Sequence, residues 1–174
     1  MTIKEELIRY AHGCIRGNII SGQKHKWACK RLLKDFDREE EADFPYYWDE
    51  ERAQNIVDWF SMLRHSKGIL AGQPIILTTW QKFVLCQIYG WRRCEDGKRR
   101  FKKSFDEVAR KNAKTQMEAG TALYECSVTA TENGELAEIY TAGTKRDQSK
   151  ILFNECVNML KGSPLRSKFK ITRE

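Results

Sequence analysis

Apolar side chains recur at Ile3, Leu7, Ile8, Ala11 and Ile15, close to a 3.6-residue period, and predict a helix with one buried face. Gly17 and Asn18 interrupt that run, and a second helix is expected from Lys24 to Asp35. Ala53, Ile56, Val57, Phe60 and Leu63 mark a third helical face, with Asp49 placed to cap its start. The segment HSKGILAGQP is a turn-rich connection. Thr79 is placed to cap the next helix, WQKFVLCQIYGW, whose Phe83, Val84, Ile88 and Trp91 suit burial against a sheet. CEDGKRR then reads as a hairpin turn with Asp96 and Gly97 at its tip, flanked by strands at about residues 89–94 and 99–108. Beyond it the pattern alternates: a strand ending near Val108, a helix at 114–127, a strand at 137–142 and a helix at 145–160. A βαβα order predicts an α/β fold with parallel strands and flanking helices, here preceded by a helical N-terminal region.

Composition adds limits. With 174 residues, 41% of them hydrophobic, the chain can bury one real core. No run approaches the roughly 20 apolar residues of a membrane helix. The charged opening MTIKEELIRYAHGCIRG lacks the apolar core of a signal peptide. The stretch DREEEADFPYYWDEE turns from acidic to aromatic, with Pro45 as a breaker. It reads as a loop docking Phe44, Tyr46, Tyr47 and Trp48 onto the body. Six cysteines carry no CxxC pair and only three histidines accompany them, which argues against a zinc site. They are expected to be reduced thiols that act as small buried hydrophobes.

Charge is unevenly placed. Residues 1–34 carry +6, residues 35–51 carry −8 and residues 92–114 carry +6, while 115–174 balance to zero. A basic block from Arg92 to Lys114 suits the phosphates of a nucleotide or of DNA, or simply a solvated face.

Within that block lies SFDEVARKNAKTQMEAGTALY: a predicted strand, a short loop, Lys114-Thr115, then a helix with Met117, Ala119, Ala122 and Leu123 for packing. Strand, loop and helix in that order form the context of a phosphate-binding P-loop. Loop N–H groups and the helix start would hold phosphate oxygens, Lys114 would reach the β- and γ-phosphates, and the Thr115 hydroxyl would ligate magnesium. Against the general GxxxxGK[ST] pattern, Val108 stands at the first glycine and Ala113 at the second. By pattern alone, an ordinary strand-to-helix turn with exposed lysines fits as well.

VARKNAKT resembles the deviant Walker A of phage large terminase subunits, in which an Arg-Lys-Asn run precedes Gly-Lys-Ser/Thr. Arg110, Lys111, Asn112, Lys114 and Thr115 match; the first glycine is usually missing in that family, while Ala113 departs from it. GNIISGQKHKWACKRLLKDF, FPYYWDEERAQNIVDWF, ILAGQPIILTTWQKFVLCQIYGWRR and IYTAGTKRDQSKILFNE resemble further family segments in the expected order. The resemblance implies an ATPase using ATP and Mg2+, with Arg110, Lys111, Asn112, Ala113, Lys114 and Thr115 around the phosphates. Arg110 would stabilise transition-state charge and Gln81 would read the adenine. Trp80 and Trp91 are assigned to the core. Lys145, Arg146 and Gln148 are expected just past the second strand, coupling to DNA or capping a helix. Implied partners are double-stranded DNA, a portal protein, a small terminase subunit and further copies in a ring, in the cytoplasm of the host.

The expected division is a helical region at 1–95 and the start of a P-loop core at 96–174. After Thr115 no apolar strand ends in Asp-Glu, the Walker B arrangement, and no nuclease-like acidic cluster follows. The chain is therefore expected to be part of a longer protein that continues past Glu174, and to turn over little ATP by itself. Two other functions remain open at this level: a non-catalytic DNA-binding or assembly module, and a helicase-like P-loop ATPase.

Overall fold

Thr2 closes the start of the first helix on itself. The Glu5 amide donates to Thr2 Oγ1 at 3.1 Å, and the Thr2 amide donates to the Glu5 carboxylate at 2.9 Å. This reciprocal pair satisfies N–H groups that a helix start otherwise leaves open. The helix ends at Gly17, whose φ of 86° is costly for any residue with a Cβ. The computed structural model describes residues 1–142 and 146–172. Its elements in order are α1 (Ile3–Arg16), α2 (Gln23–Arg38), β1 (Tyr46–Trp48), α3 (Glu50–Met62), α4 (Thr79–Gly90), β2 (Trp91–Arg93), α5 (Lys114–Tyr124), a π-helical stretch (Glu125–Thr129), α6 (Ala130–Asn133), α7 (Arg146–Leu160) and a 3-10 turn (Arg166–Lys168). No helix among the described residues is long and apolar enough to cross a membrane.

The chain forms two compact units, Met1–Val57 with Leu77–Phe105, and Asp58–Ile76 with Asp106–Glu174. Residues 58–76, read along the sequence as part of the N-terminal helical region, cluster with the second unit.

In the first unit, buried Ile3, Leu7, Ala11 and Cys14 lay one face of α1 against α2 and α4. The acidic-aromatic segment, expected as a loop, forms β1, which pairs antiparallel with β2 in the register Tyr46↔Arg93, Tyr47↔Arg92, Trp48↔Trp91. Pro45 has no N–H to give to a ladder, but its carbonyl accepts from the Cys94 amide at 3.0 Å. Trp91 is fully buried against Phe36, Phe44 and Trp48. Gly90 is required here because a Cβ would lie 2.7 Å from the Trp48 ring. Buried Asp35 pairs with Arg100 at 2.9 Å, and that guanidinium stacks over Tyr46 at 4.2 Å. The Asp96-Gly97 turn forms as expected, with the Arg93 amide donating to the Lys98 carbonyl at 2.9 Å and Gly97 at φ 64°.

In the second unit, α5 packs on α7. The helical run continues past residue 127 to Asn133 through the π-helical stretch. There Ser127 Oγ bonds the Leu123 carbonyl at 2.6 Å and Thr131 Oγ1 the Ser127 carbonyl at 2.7 Å. Such back-bonds compete with the regular ladder and favour a local widening.

Two expectations are corrected. The strands at 99–108 and 137–142 do not form; the β1–β2 pair is the only sheet among the described residues, and it is antiparallel. A strand exists through its neighbour's hydrogen bonds, and local pattern supplies none. Only the isolated Arg92↔Arg99 bridge remains of the longer hairpin. Phe105, Leu136 and Tyr140 accordingly stand exposed. The fold is thus mixed, helices with one small antiparallel pair; the parallel-stranded P-loop core expected from sequence is not seen. The second correction concerns α4. It buries Leu85, Cys86 and Tyr89 with Phe83, leaves Val84 and Ile88 half-buried, and packs on α1, with its C-terminal Gly90 against Trp48 of the small antiparallel pair. Its N-cap is Thr78, one residue before the expected Thr79.

Candidate functional site

Residues 110–115 lie together at the start of α5, with Lys114 as its first residue. No regular structure precedes them: residues 101–109 are irregular chain. Asn112 closes the turn, its Nδ2 donating to the carbonyls of Ala109 at 3.1 Å and Arg110 at 3.3 Å. Two residues with side chains then adopt left-handed backbone, Lys111 at φ 69° and Ala113 at φ 54°. Such a conformation costs a non-glycine residue about 1–2 kcal/mol, and strain of this kind collects at ligand sites.

Ala113 caps the helix with no side-chain hydrogen bond, and the first helical bond runs from the Met117 amide to the Ala113 carbonyl at 2.9 Å. In a helix starting there, the amides of Lys114, Thr115 and Gln116 have no carbonyl one turn back. Their N–H dipoles create a positive end. Arg110, Lys111 and Lys114, all exposed, add three cations to it. The arrangement suits a polyanion such as a triphosphate. Thr115, half-buried, is the second residue of the same helix. For magnesium it offers one neutral oxygen; the rest of an octahedral shell would come from phosphate and water.

What fixes α5 was not legible along the chain. Gly120 lies against Phe60, and a Cβ there would stand 2.3 Å from the ring. Trp59 Nε1 donates to the Gly120 carbonyl at 3.0 Å, and Trp59 meets Tyr124 edge-on at 5.6 Å. Gln116 Nε2 bonds His65 Nδ1 at 3.1 Å. Gly120 inside a helical pattern was the one available signal, since an isolated helical glycine often marks close approach.

Gln81 belongs to the first unit and is buried in the first turn of α4. Its Oε1 accepts from the Thr78 amide and from Thr78 Oγ1, both at 2.9 Å. The carbonyl end therefore serves the helix start, and only the amide nitrogen is not used by that cap. The neighbouring Thr79 and Trp80 line a cavity of about 520 Å3 with Arg9, Tyr10 and Ile20. Trp91 is core, as expected, whereas Trp80 is half-exposed at this cavity. Lys145 lies outside the described residues, as do the side chains of Arg146 and Gln148.

The family model for the ATPase domain of the terminase large subunit matches residues 79–174, which begin at α4 and include the whole of the 110–115 turn. No curated protein and no solved structure matches the chain.

Proposed function

Because this chain belongs to the family of terminase large subunit ATPase domains, we propose that it is a nucleotide-binding module of a motor that packages double-stranded DNA into phage procapsids. The observation that carries this is the open start of α5, an uncapped helix end with left-handed Ala113 before it and three exposed cations around it. ATP would be held by its phosphates on the 110–115 turn, with Lys114 toward the β- and γ-phosphates and Thr115 toward magnesium. Magnesium, when bound, supplies charge neutralisation between those phosphates. Arg110 would offset charge that develops during transfer, while Lys111, Asn112 and Ala113 shape the turn. Gln81 would read the base through its amide nitrogen. The portal protein, a small terminase subunit and further copies of the chain are the partners that a packaging motor requires.

The test is a titration with a non-hydrolysable ATP analogue and Mg2+. Loss of a charge-assisted contact costs about 1.5–3 kcal/mol, so Lys114→Ala should weaken binding at least tenfold. Unchanged affinity would remove the turn from the nucleotide site. If neither protein bound nucleotide while Lys114→Ala lost only about one phosphate contact to DNA, a DNA-binding module would be the better reading.

A further inference from the structure

The α1–α2 hairpin of the first unit brings three metal-ligating side chains together away from the 110–115 turn. Cys14 comes from α1; His25 and Cys29, four residues apart, share one face of α2. Their ligand atoms lie within 4.8 Å of one another. Both thiols are fully buried and His25 is partly so. The imidazole packs against the rings of Tyr10 and Phe83, at 5.7 and 4.8 Å, and its Nε2 bonds the Tyr10 hydroxyl at 3.1 Å.

We propose that Cys14, His25 and Cys29 form a binding site for a zinc-class divalent cation that staples α1 to α2. A tetrahedral zinc with bonds of about 2.3 Å to sulfur and 2.0 Å to nitrogen sets its ligand atoms roughly 3.5–3.8 Å apart. The present spacing, up to 4.8 Å, is wider than that, so binding has to draw the three side chains together. Two thiolates and a neutral imidazole are the borderline-soft set that zinc favours, and their two negative charges cancel the ion's, which suits a buried place. Three protein ligands leave the fourth position to a small exchangeable ligand such as water. Tyr10 fixes the ring in the way that outer partners of metal-bound histidines do. The absence of a CxxC pair hid the site from pattern reading, because its ligands come from two helices.

Binding exchanges protons for metal: each thiol releases one as its sulfur bonds the ion, while His25 releases none. Metal affinity should therefore rise steeply with pH, by up to about a hundredfold per unit for two released protons.

The test uses the full chain, metal-free and reduced, titrated with Co2+ and Zn2+. Expected are one ion per chain, a thiolate-to-cobalt charge-transfer absorption, about two protons released, and a higher Tm with zinc. Cys14→Ala and Cys29→Ala should lose the signal, and Cys94→Ala and Cys126→Ala should keep it. Should the cysteine variants fail to fold, His25→Gln at the partly exposed position is expected to keep the metal-free Tm and to lower affinity at least about tenfold. No stoichiometric ion, a cobalt spectrum without thiolate, or affinity unchanged in His25→Gln would overturn the site.

Discussion

Helices α4 and α5 begin in opposite ways. At α4, Thr78 and Gln81 bond each other, and the helix start satisfies its own polar groups. At α5, Ala113 has no side chain that can do so, sits at φ 54°, and is surrounded by exposed cations. The first arrangement is what stability selects, since a cap contributes about 1 kcal/mol. The second gives up that contribution and adds backbone strain. A start left open and positive makes sense when an anion completes it. The contrast also divides the two sequence candidates: Lys114 stands where chemistry is exposed, whereas half of the Gln81 side chain is already committed to the fold.

The comparison breaks most readily at Gly120, which holds α5 against Phe60. With a Cβ 2.3 Å from the ring, Gly120→Ala should destabilise the protein by about 1–3 kcal/mol, or shift α5 and weaken nucleotide binding. Unchanged denaturant midpoint and unchanged affinity would show that this contact does not set the helix. A smaller effect is expected at the capped start. Gln81→Ala should cost about 1 kcal/mol of stability. Gln81→Glu keeps an acceptor for the Thr78 amide and benefits from the helix dipole, but loses the amide donor. It should therefore leave stability nearly unchanged and weaken adenine nucleotides selectively. Equal affinity for ATP and other nucleoside triphosphates in both proteins would confine Gln81 to the cap. The smallest effect belongs to the open start. Ala113→Gly removes left-handed strain but loosens the unfolded chain, for a net gain of about 0.5–1 kcal/mol in stability. Because the strain is present before any ligand arrives, nucleotide affinity should change less than tenfold. A larger gain would mean that binding demands a backbone which alanine resists.

Local chemistry was readable wherever a residue acts on its sequence neighbours. The helix faces from Ile3 to Ala11 and from Ala53 to Leu63, the Asp49 cap of α3 (Arg52 amide to Asp49 Oδ1, 2.9 Å), the Asp96-Gly97 turn and the helix start at Lys114 all follow from period, cap and turn chemistry. The cysteines were half readable: Cys14, Cys29 and Cys86 are buried as expected, but Cys94 and Cys126 are exposed. A small side chain of middling polarity is sorted only by where its helix or turn comes to lie.

Sequence by itself thus determined the helices, the start of α5 at Lys114 and the terminase ATPase family, because short-range periodicity and motif order carry those. Tertiary structure alone decided the rest. It withheld hydrogen-bond partners from the strands expected at 99–108 and 137–142 and turned the aromatic loop into β1 by giving it β2. It set Gly120 against Phe60 and Trp59, sixty positions away in the chain, and gathered Cys14, His25 and Cys29 from two helices. Each of these rests on contact between residues distant in sequence, which no local pattern encodes.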